Sequence, residues 1–290
     1  MMGTIKAKAC AKINLTLEIL GKRPDGYHDI RSLFLAVSLA DELAFTPRGD
    51  GRIVLDADDP HLPVDRRNLI VKAAYLLKDE YSVPAGAGAN IELRKNIPVG
   101  AGLGGGSSDA ASALLSLKKL WDIDDASVDD LAAIGAKIGS DVPFFIRAKS
   151  ALVTGRGEII EPLDIRRIYH FVIAFPGFPV STAWVYKNLK IDLTKRPEYS
   201  NILLSHCLNG EEPDKLATFF YNDFEPSVIR SHSRIADVKT DLLRSGALGT
   251  LMTGSGSSVF GIYPDQNAAR SGLLQVRTAW PRSFAVCSVL

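Results

Sequence analysis

At 290 residues, with 46% hydrophobic and 23% charged side chains, the chain has the composition of a soluble globular protein and the length of one large or two medium cores. Its 34 basic and 33 acidic residues leave a net charge of +1, which argues against a general nucleic-acid binder, and no run of about 18 uncharged apolar residues offers a membrane span. Cys10, Cys207 and Cys287 are isolated thiols without C-x-x-C spacing, no two histidines are spaced to share a zinc, and residues 1–10 lack the apolar core of a secretory signal. A reduced, cytoplasmic setting without structural zinc is therefore expected.

In chain order, the first third reads as strands and turns. Strands are expected over Thr4–Cys10, Ile13–Ile19 (strictly alternating), Leu33–Ser38, Glu42–Thr46 and Arg52–Leu55, with a turn at Gly21–His28. A helix follows over Asn68–Glu80, with Leu69, Ile70, Ala73, Ala74 and Leu77 on one face, and then a strand at Ile91–Arg94. A helix from Ser107 to Trp121, capped by a hydroxyl or carboxylate, precedes another that opens on the capping-box spacing Ser127-x-x-Asp130 and stops at Gly139. Beyond Glu158 the pattern gives a strand at Tyr169–Phe175, helical material near Thr182–Tyr186 and Pro213–Tyr221, and a helix Ser233–Arg244 closed by Gly246. Two strands around Thr253–Ser258, a helix Gln266–Val276 and a strand Ser283–Val289 complete the chain. The fold class is α+β with two domains, 1–163 and 164–290.

The most informative stretch is Pro98, Val99, Gly100, Ala101, Gly102, Leu103, Gly104, Gly105, Gly106, Ser107 and Ser108, which holds five glycines in seven positions and feeds an amphipathic helix. Glycine backbone can turn its N–H groups toward an anion, and a helix N-terminus adds its dipole, so the stretch reads as a phosphate cradle. Gly100–Gly105 formally matches the dinucleotide fingerprint, but the preceding Asn90–Lys95 alternates apolar and polar residues where that fold needs a nearly continuous apolar strand. No Lys-Ser/Thr pair follows to make a Walker loop.

Four further segments carry chemistry-bearing residues. Lys12 and Asn14, two apart on an extended strand, share a face that is either solvated or turned to a ligand. Tyr27 and His28 put an aromatic ring and an imidazole in a turn. Asp141 stands between a helix stop and Pro143, as a cap or as a reactive carboxylate. Thr253–Ser258 is a second small-residue loop.

Together, Pro98–Ser108, Ala11–Asn14 and Thr253–Gly256 resemble the three motifs of the galactokinase, homoserine, mevalonate and phosphomevalonate (GHMP) kinase superfamily. Ala11–Leu15, Arg23–His28, Gly102–Asp109 and Ser140–Phe144 are most similar to its branch acting on a cytidyl diphosphate of methylerythritol in the non-mevalonate isoprenoid pathway. The resemblance runs over essentially the whole chain and implies an N-terminal ATP-binding domain with a left-handed β-α-β unit and a ferredoxin-like C-terminal domain. It implies ATP with Mg²⁺ as phosphoryl source, Asp141 as acceptor of the substrate hydroxyl proton, and Lys12 holding Asp141 and the nucleophile. It further implies that the glycine loop holds the phosphates, that Ser107 or Ser108 offers a hydroxyl to phosphate or metal, and that Asn68 and Lys95 lie near the nucleoside. Tyr27 and Tyr186 would sandwich the cytosine with His28 at its edge, and Asn14 and Thr182 would contact the rest of the substrate. No glutamate is identified for the metal, and a monomer or homodimer is expected. The rival readings are another GHMP small-molecule kinase, of homoserine or mevalonate type, and a nicotinamide oxidoreductase.

Overall fold

The computed structural model describes residues 3–189 and 198–290, which group into two compact units interleaved along the chain. The first takes residues up to Ala11, Leu39–Ile97 and Gly104–Ala148. It contains the start of β1 (Ile5–Lys22), the end of β2 (His28–Arg48), then β3 (Ile53–Ala57), α1 (Leu69–Glu80), β4 (Gly88–Arg94), α2 (Gly105–Leu120), α3 (Val128–Ala136) and α4 (Val142–Arg147). Strand order is β3-β4-β2-β1; β3 and β4 are parallel, so α1 makes them a β-α-β unit, whereas β4 runs antiparallel to β2. α1 buries Ile70, Val71, Ala73, Ala74 and Leu77, close to the face its spacing predicts, against Phe45, Ile91 and Leu93 of the sheet and Leu114 and Leu117 of α2. Each such leucine contributes roughly 2 kcal/mol of apolar burial.

Two helix starts differ from expectation. α2 begins at Gly105 rather than Ser107, and its N-cap is Gly104 in the left-handed region (φ 70), with no side-chain cap. A side-chain cap requires an oxygen on an extended N-cap residue; Gly104 has neither, so Ser108 and Asp109 fall inside the helix and are buried. α3 carries the expected capping box, Asp130 N–H donating to Ser127 Oγ (3.1 Å) and Ser127 N–H to Asp130 Oδ2 (2.9 Å). It ends at Ala136, before Gly139. α4 is short, and Pro143 sits in its first turn, where a missing N–H costs no helical bond.

The second unit takes Lys12–Ser38, Pro98–Leu103 and Lys149–Leu290. A hairpin of β5 (Ser150–Thr154) and β6 (Ile159–Pro162), which periodicity does not reveal, pairs through β5 with β2 from Ser32 to Leu35. Then come β7 (His170–Ala174), α5 (Thr182–Lys187), α6 (Tyr199–Leu208), α7 (Pro213–Ala217), β8 (Tyr221–Asn222), α8 (Glu225–Ser231), α9 (Arg234–Arg244), β9 (Gly249–Met252), β10 (Val259–Tyr263), α10 (Gln266–Val276) and β11 (Ser283–Cys287). The helix expected over Pro213–Tyr221 stops at Ala217, and Tyr221 pairs instead as β8, parallel to β1 opposite Thr16.

The sheet β11-β7-β10-β9 is wholly antiparallel. Counted along the chain its strands lie 4-1-3-2, with α9 before the second and α10 between the third and fourth, which is the ferredoxin-like arrangement. Ile235, Val238 and Leu242 of α9 and Ala269 and Val276 of α10 fill the core beneath it. The two-domain α+β reading thus appears as mixed parallel and antiparallel sheets in two units.

Candidate active site

In the second unit, β1 presents Lys12 and Asn14 on one face, and that face is buried: Lys12 is 4% and Asn14 1% exposed. Lys12 Nζ donates to Asn14 Oδ1 (2.6 Å) and lies 4.7 Å over the Phe34 ring. Asn14 Nδ2 donates to Ser32 Oγ (2.9 Å), while Thr253 Oγ1 donates to Asn14 Oδ1 (3.1 Å) and accepts the Asn14 N–H (3.0 Å). The amide is thereby fixed in one orientation, with its oxygen toward the ammonium. The polar face continues along β1: Thr16 Oγ1 is 2.8 Å from Ser200 Oγ, and Glu18 is 5% exposed.

The first half of the glycine loop is held beside these residues by its carbonyls. Lys12 N–H donates to Leu103 C=O (3.0 Å), Ser258 N–H to Ala101 C=O (3.1 Å) and Val180 N–H to Gly100 C=O (3.3 Å). A Cβ at Gly102 (φ 77) would lie 2.2 Å from Thr253 C=O, so only glycine fits. Asn222 Nδ2 donates to Met252 C=O (2.7 Å) and Gly254 C=O (2.9 Å), fixing the Thr253–Ser258 loop from beneath. Lys12, Asn14, Pro98–Leu103 and Thr253–Ser258, separate in sequence, are thus one constellation.

In the first unit, Ser108 N–H donates to Gly104 C=O (2.9 Å), closing the first turn of α2 and leaving the preceding amides without intrahelical acceptors. Around this helix start lie Leu69 of α1, which a Cβ at Gly106 would meet at 3.6 Å, and the Gly139–Asp141 segment, since a Cβ at Gly139 would meet Ser107 Oγ at 3.7 Å. Asp141 occupies the N-cap position of α4 without making a capping hydrogen bond, so capping is not the work of its carboxylate. Asn68 caps α1: its Oδ1 accepts from Ile70 N–H (2.9 Å) and its Nδ2 donates to Pro63 C=O (2.8 Å). Lys95 is buried between two carboxylates, donating to Asp109 Oδ2 (2.8 Å) and to Asp41 Oδ2. Burial disfavours its charge, but Asp109 and Asp41 together outweigh that and hold it above the usual lysine range. Burial, opposed by Lys95 and aided by the Asp41 charge, holds Asp109 above the usual carboxylate range.

The residues expected at the base lie in the second unit. His28 stacks on Tyr186 (centroids 5.1 Å apart, rings 21° from parallel), and Tyr186 meets Phe224 edge-on at 4.9 Å. The expectation sets cytosine between Tyr27 and Tyr186; here the imidazole itself lies on Tyr186, while Tyr27 is 58% exposed with the Arg156 guanidinium 5.0 Å over its ring. Burial, then Lys22, lowers the His28 pKa, so its ring is neutral at pH 7. Thr182, the first residue of α5, has its Oγ1 2.8 Å from Ser255 Oγ, joining α5 to the late glycine loop.

Sequence reasoning did not single out Ser32, Asn222, Asp41 or Asp109. Asp41 carried a signal, a carboxylate pair with Glu42 set between Leu39-Ala40 and Leu43 in a strand; its partners Lys95, Asn96 and Ile97 lie 54 to 56 positions away along the chain and are invisible to local patterning. Among the described residues no helix is long and apolar enough to cross a membrane.

Comparison with known proteins agrees with this geometry. Residues 68–149 match the GHMP kinases N terminal domain and residues 206–282 the GHMP kinases C terminal domain. The 4-diphosphocytidyl-2-C-methyl-D-erythritol kinase of a Geobacillus species is 40% identical over 255 residues, covering 88% of this chain and 86% of its own. A crystal structure of 4-(cytidine 5'-diphospho)-2C-methyl-D-erythritol kinase superposes with TM-score 0.80 at 35% identity, covering 98% of this chain and 99% of the other. Homoserine kinase from Cytophaga hutchinsonii shares the fold (TM-score 0.74, covering 100% of this chain and 96% of that one) at 20% identity. With motifs, fold and extended identity in agreement, the chain belongs to the 4-diphosphocytidyl-2-C-methyl-D-erythritol kinase family of the GHMP kinases.

Proposed function

We propose that the chain transfers the γ-phosphoryl group of ATP to the 2-hydroxyl of 4-diphosphocytidyl-2-C-methyl-D-erythritol, giving the 2-phosphate and ADP, in the cytoplasm. Residues 1–163 would form the ATP-binding domain and 164–290 the substrate-binding domain, with Asn14, Tyr27 and His28 of the former also contributing to the substrate. The observation that carries the substrate choice is the His28–Tyr186 stack beside Tyr27, since an acceptor without a base gives these rings nothing to recognise. Offered ATP with this cytidyl diphosphate, homoserine or mevalonate in separate assays, the enzyme is expected to turn over only the first; comparable turnover of mevalonate would overturn the assignment.

In this reading the amides at the start of α2 and of Pro98–Leu103 hold the β- and γ-phosphates, with Ser107 or Ser108 adding a hydroxyl. Asp141 takes the 2-hydroxyl proton as the new O–P bond forms and the β–γ bridge breaks toward ADP. Lys12, fixed by Asn14, offsets the charge gathering on the reacting oxygen. Asn14 and Thr182 orient the acceptor. Asn68 and Lys95, whose side chains are committed locally, shape the surroundings of the nucleoside. Among the described residues no three His, Cys, Asp or Glu side chains stand close enough to hold an ion alone. Mg²⁺ ordinarily takes most ligands from phosphate oxygens and water, and the hydroxyls of Ser107 and Ser108 are hard oxygen donors of the right kind; the ion would neutralise the β- and γ-oxygens.

His28 supplies a pH test. A neutral ring both donates and accepts, whereas the imidazolium only donates, so acidification removes an acceptor for an amino group on the base. Because the His28 pKa is lowered, KM for the cytidyl substrate is expected to stay flat through neutrality and rise by about tenfold only below pH 6.5, with KM for ATP unchanged. His28→Asn should abolish that rise, and an identical profile in the variant would remove His28 from base recognition.

A further inference from the structure

Lys95 follows β4 directly, and its ammonium joins Asp41 of β2 to Asp109 of α2 beside the start of that helix. Asp41 on β2 is 0% exposed and accepts from Lys95 Nζ, from Asn96 N–H (2.6 Å) and from Ile97 N–H (2.8 Å), while Asn96 Nδ2 donates to Ala40 C=O (2.9 Å). Asp109, in the first helical turns of α2, accepts from the same ammonium through Oδ2; its Oδ1 is buried with no partner. A Cβ at Gly105 would lie 3.0 Å from Lys95 Nζ and 2.9 Å from Ile97 Cγ2, so the ammonium is flush against the first residue of the helix.

Stability alone is a poor reason for such a group. Buried ion pairs often gain little over apolar residues of the same volume, and this one leaves a carboxylate oxygen unsatisfied. What charged hydrogen bonds supply is direction and distance. Lys95–Ile97 is where the chain leaves the sheet for the glycine loop, and Gly105–Asp109 is where it re-enters regular structure; both ends are fastened to one ammonium. We infer that Lys95, clamped by Asp41 and Asp109, is the positioning residue of the phosphate cradle, setting where the amides of Gly105, Gly106 and Ser107 point. The inference rests on the reading of this helix start as an ATP phosphate site.

The test is nucleotide affinity measured by calorimetry with ATP alone, which needs no acceptor, alongside steady-state kinetics and thermal melting. Asp109→Ala frees one side of the clamp and is expected to weaken ATP binding and raise its KM by about tenfold or more, with kcat at saturating ATP held within about threefold. Asp109→Asn, whose amide oxygen still accepts from Lys95, should restore affinity to within about threefold of the parent. If Asp109→Ala melts like the parent and binds ATP equally well, or if Asn rescues nothing, the positioning role is overturned. Should Asp109→Ala fail to fold, Lys95→Arg keeps the charge but overfills the slot beside Gly105; the same loss of affinity is expected, and unchanged affinity sinks the proposal. A parent protein that binds no ATP would instead sink the phosphate-site reading.

Discussion

Replacing Asp141 by asparagine is expected to lower kcat by about 10²- to 10⁴-fold while KM for ATP stays within about threefold. The substitution keeps shape and volume and removes the carboxylate's negative charge together with its ability to take a proton. Asp141 makes no capping hydrogen bond to α4, so the helix loses nothing when the carboxylate becomes an amide. The size of the effect also reports on the transition state. Phosphoryl transfer is loose, with limited bonding to the nucleophile at the summit, so a base that removes the proton late contributes toward the lower end of that range. A tertiary alcohol forced to carry a developing positive charge would move it toward the upper end. Should kcat barely change, proton removal by Asp141 is not part of the barrier, and Lys12, buried and locked onto Asn14, carries the rate through positioning and charge. Rapid-quench measurement of the first turnover distinguishes a true loss of chemistry from a step hidden behind product release.

Gly102→Ala is expected to produce the largest structural loss among single-methyl changes in the loop. The added carbon would sit 2.2 Å from Thr253 C=O, with Gly256 C=O and N–H at 3.1 and 3.2 Å, and the backbone at φ 77 is strained for any side chain. Nothing at the point of contact is a flexible side-chain end that could swing away. Two loops must part, and Thr253 leaves Asn14 with them, which releases the amide that orients Lys12. Strain and displacement together are expected to cost on the order of 2–4 kcal/mol and to depress kcat/KM for ATP and acceptor alike. Gly21→Ala is the matched control, since nothing lies within 4 Å of its added carbon and its φ is not positive. Differential scanning calorimetry of the two variants should separate clearly; equal melting would mean that the loops yield at no cost.

The parts of the fold legible in the sequence are those decided within a few residues. The capping box of α3, the buried stripe of α1 and the glycine that follows α9 at Gly246 all follow from local spacing and backbone preference. The start of α2 differs from the local expectation because Ser107 and Ser108 are better caps than Gly104 by propensity, whereas the left-handed Gly104 begins the helix earlier. β1 and β2 read as broken strands because Lys12 and Asp41 interrupt their apolar patterns; Lys12 is satisfied by Asn14, itself held by distant Thr253, and Asp41 by the distant Lys95, Asn96 and Ile97. For the site, residue types and motifs were readable, but commitments were not. The resemblance sets Lys95 near the nucleoside, and the geometry that occupies its ammonium with Asp41 and Asp109 depends on strand pairing that no local window contains.

From Lys12 to Ile19 every residue of β1 is buried, the odd positions among hydrocarbon and the even ones in the polar network that reaches Thr253 and Ser200. The alternation therefore works as a reading frame. Shifted by a single residue against its neighbours, the strand would drive an ammonium and a carboxylate into the oily side and leave isoleucine and leucine facing unpaired hydroxyls. The lysine proposed to serve the reaction and the alignment required for folding depend on the same pairing, so a chain that closes out of frame is expected not to give a folded, inactive enzyme but to fail to close.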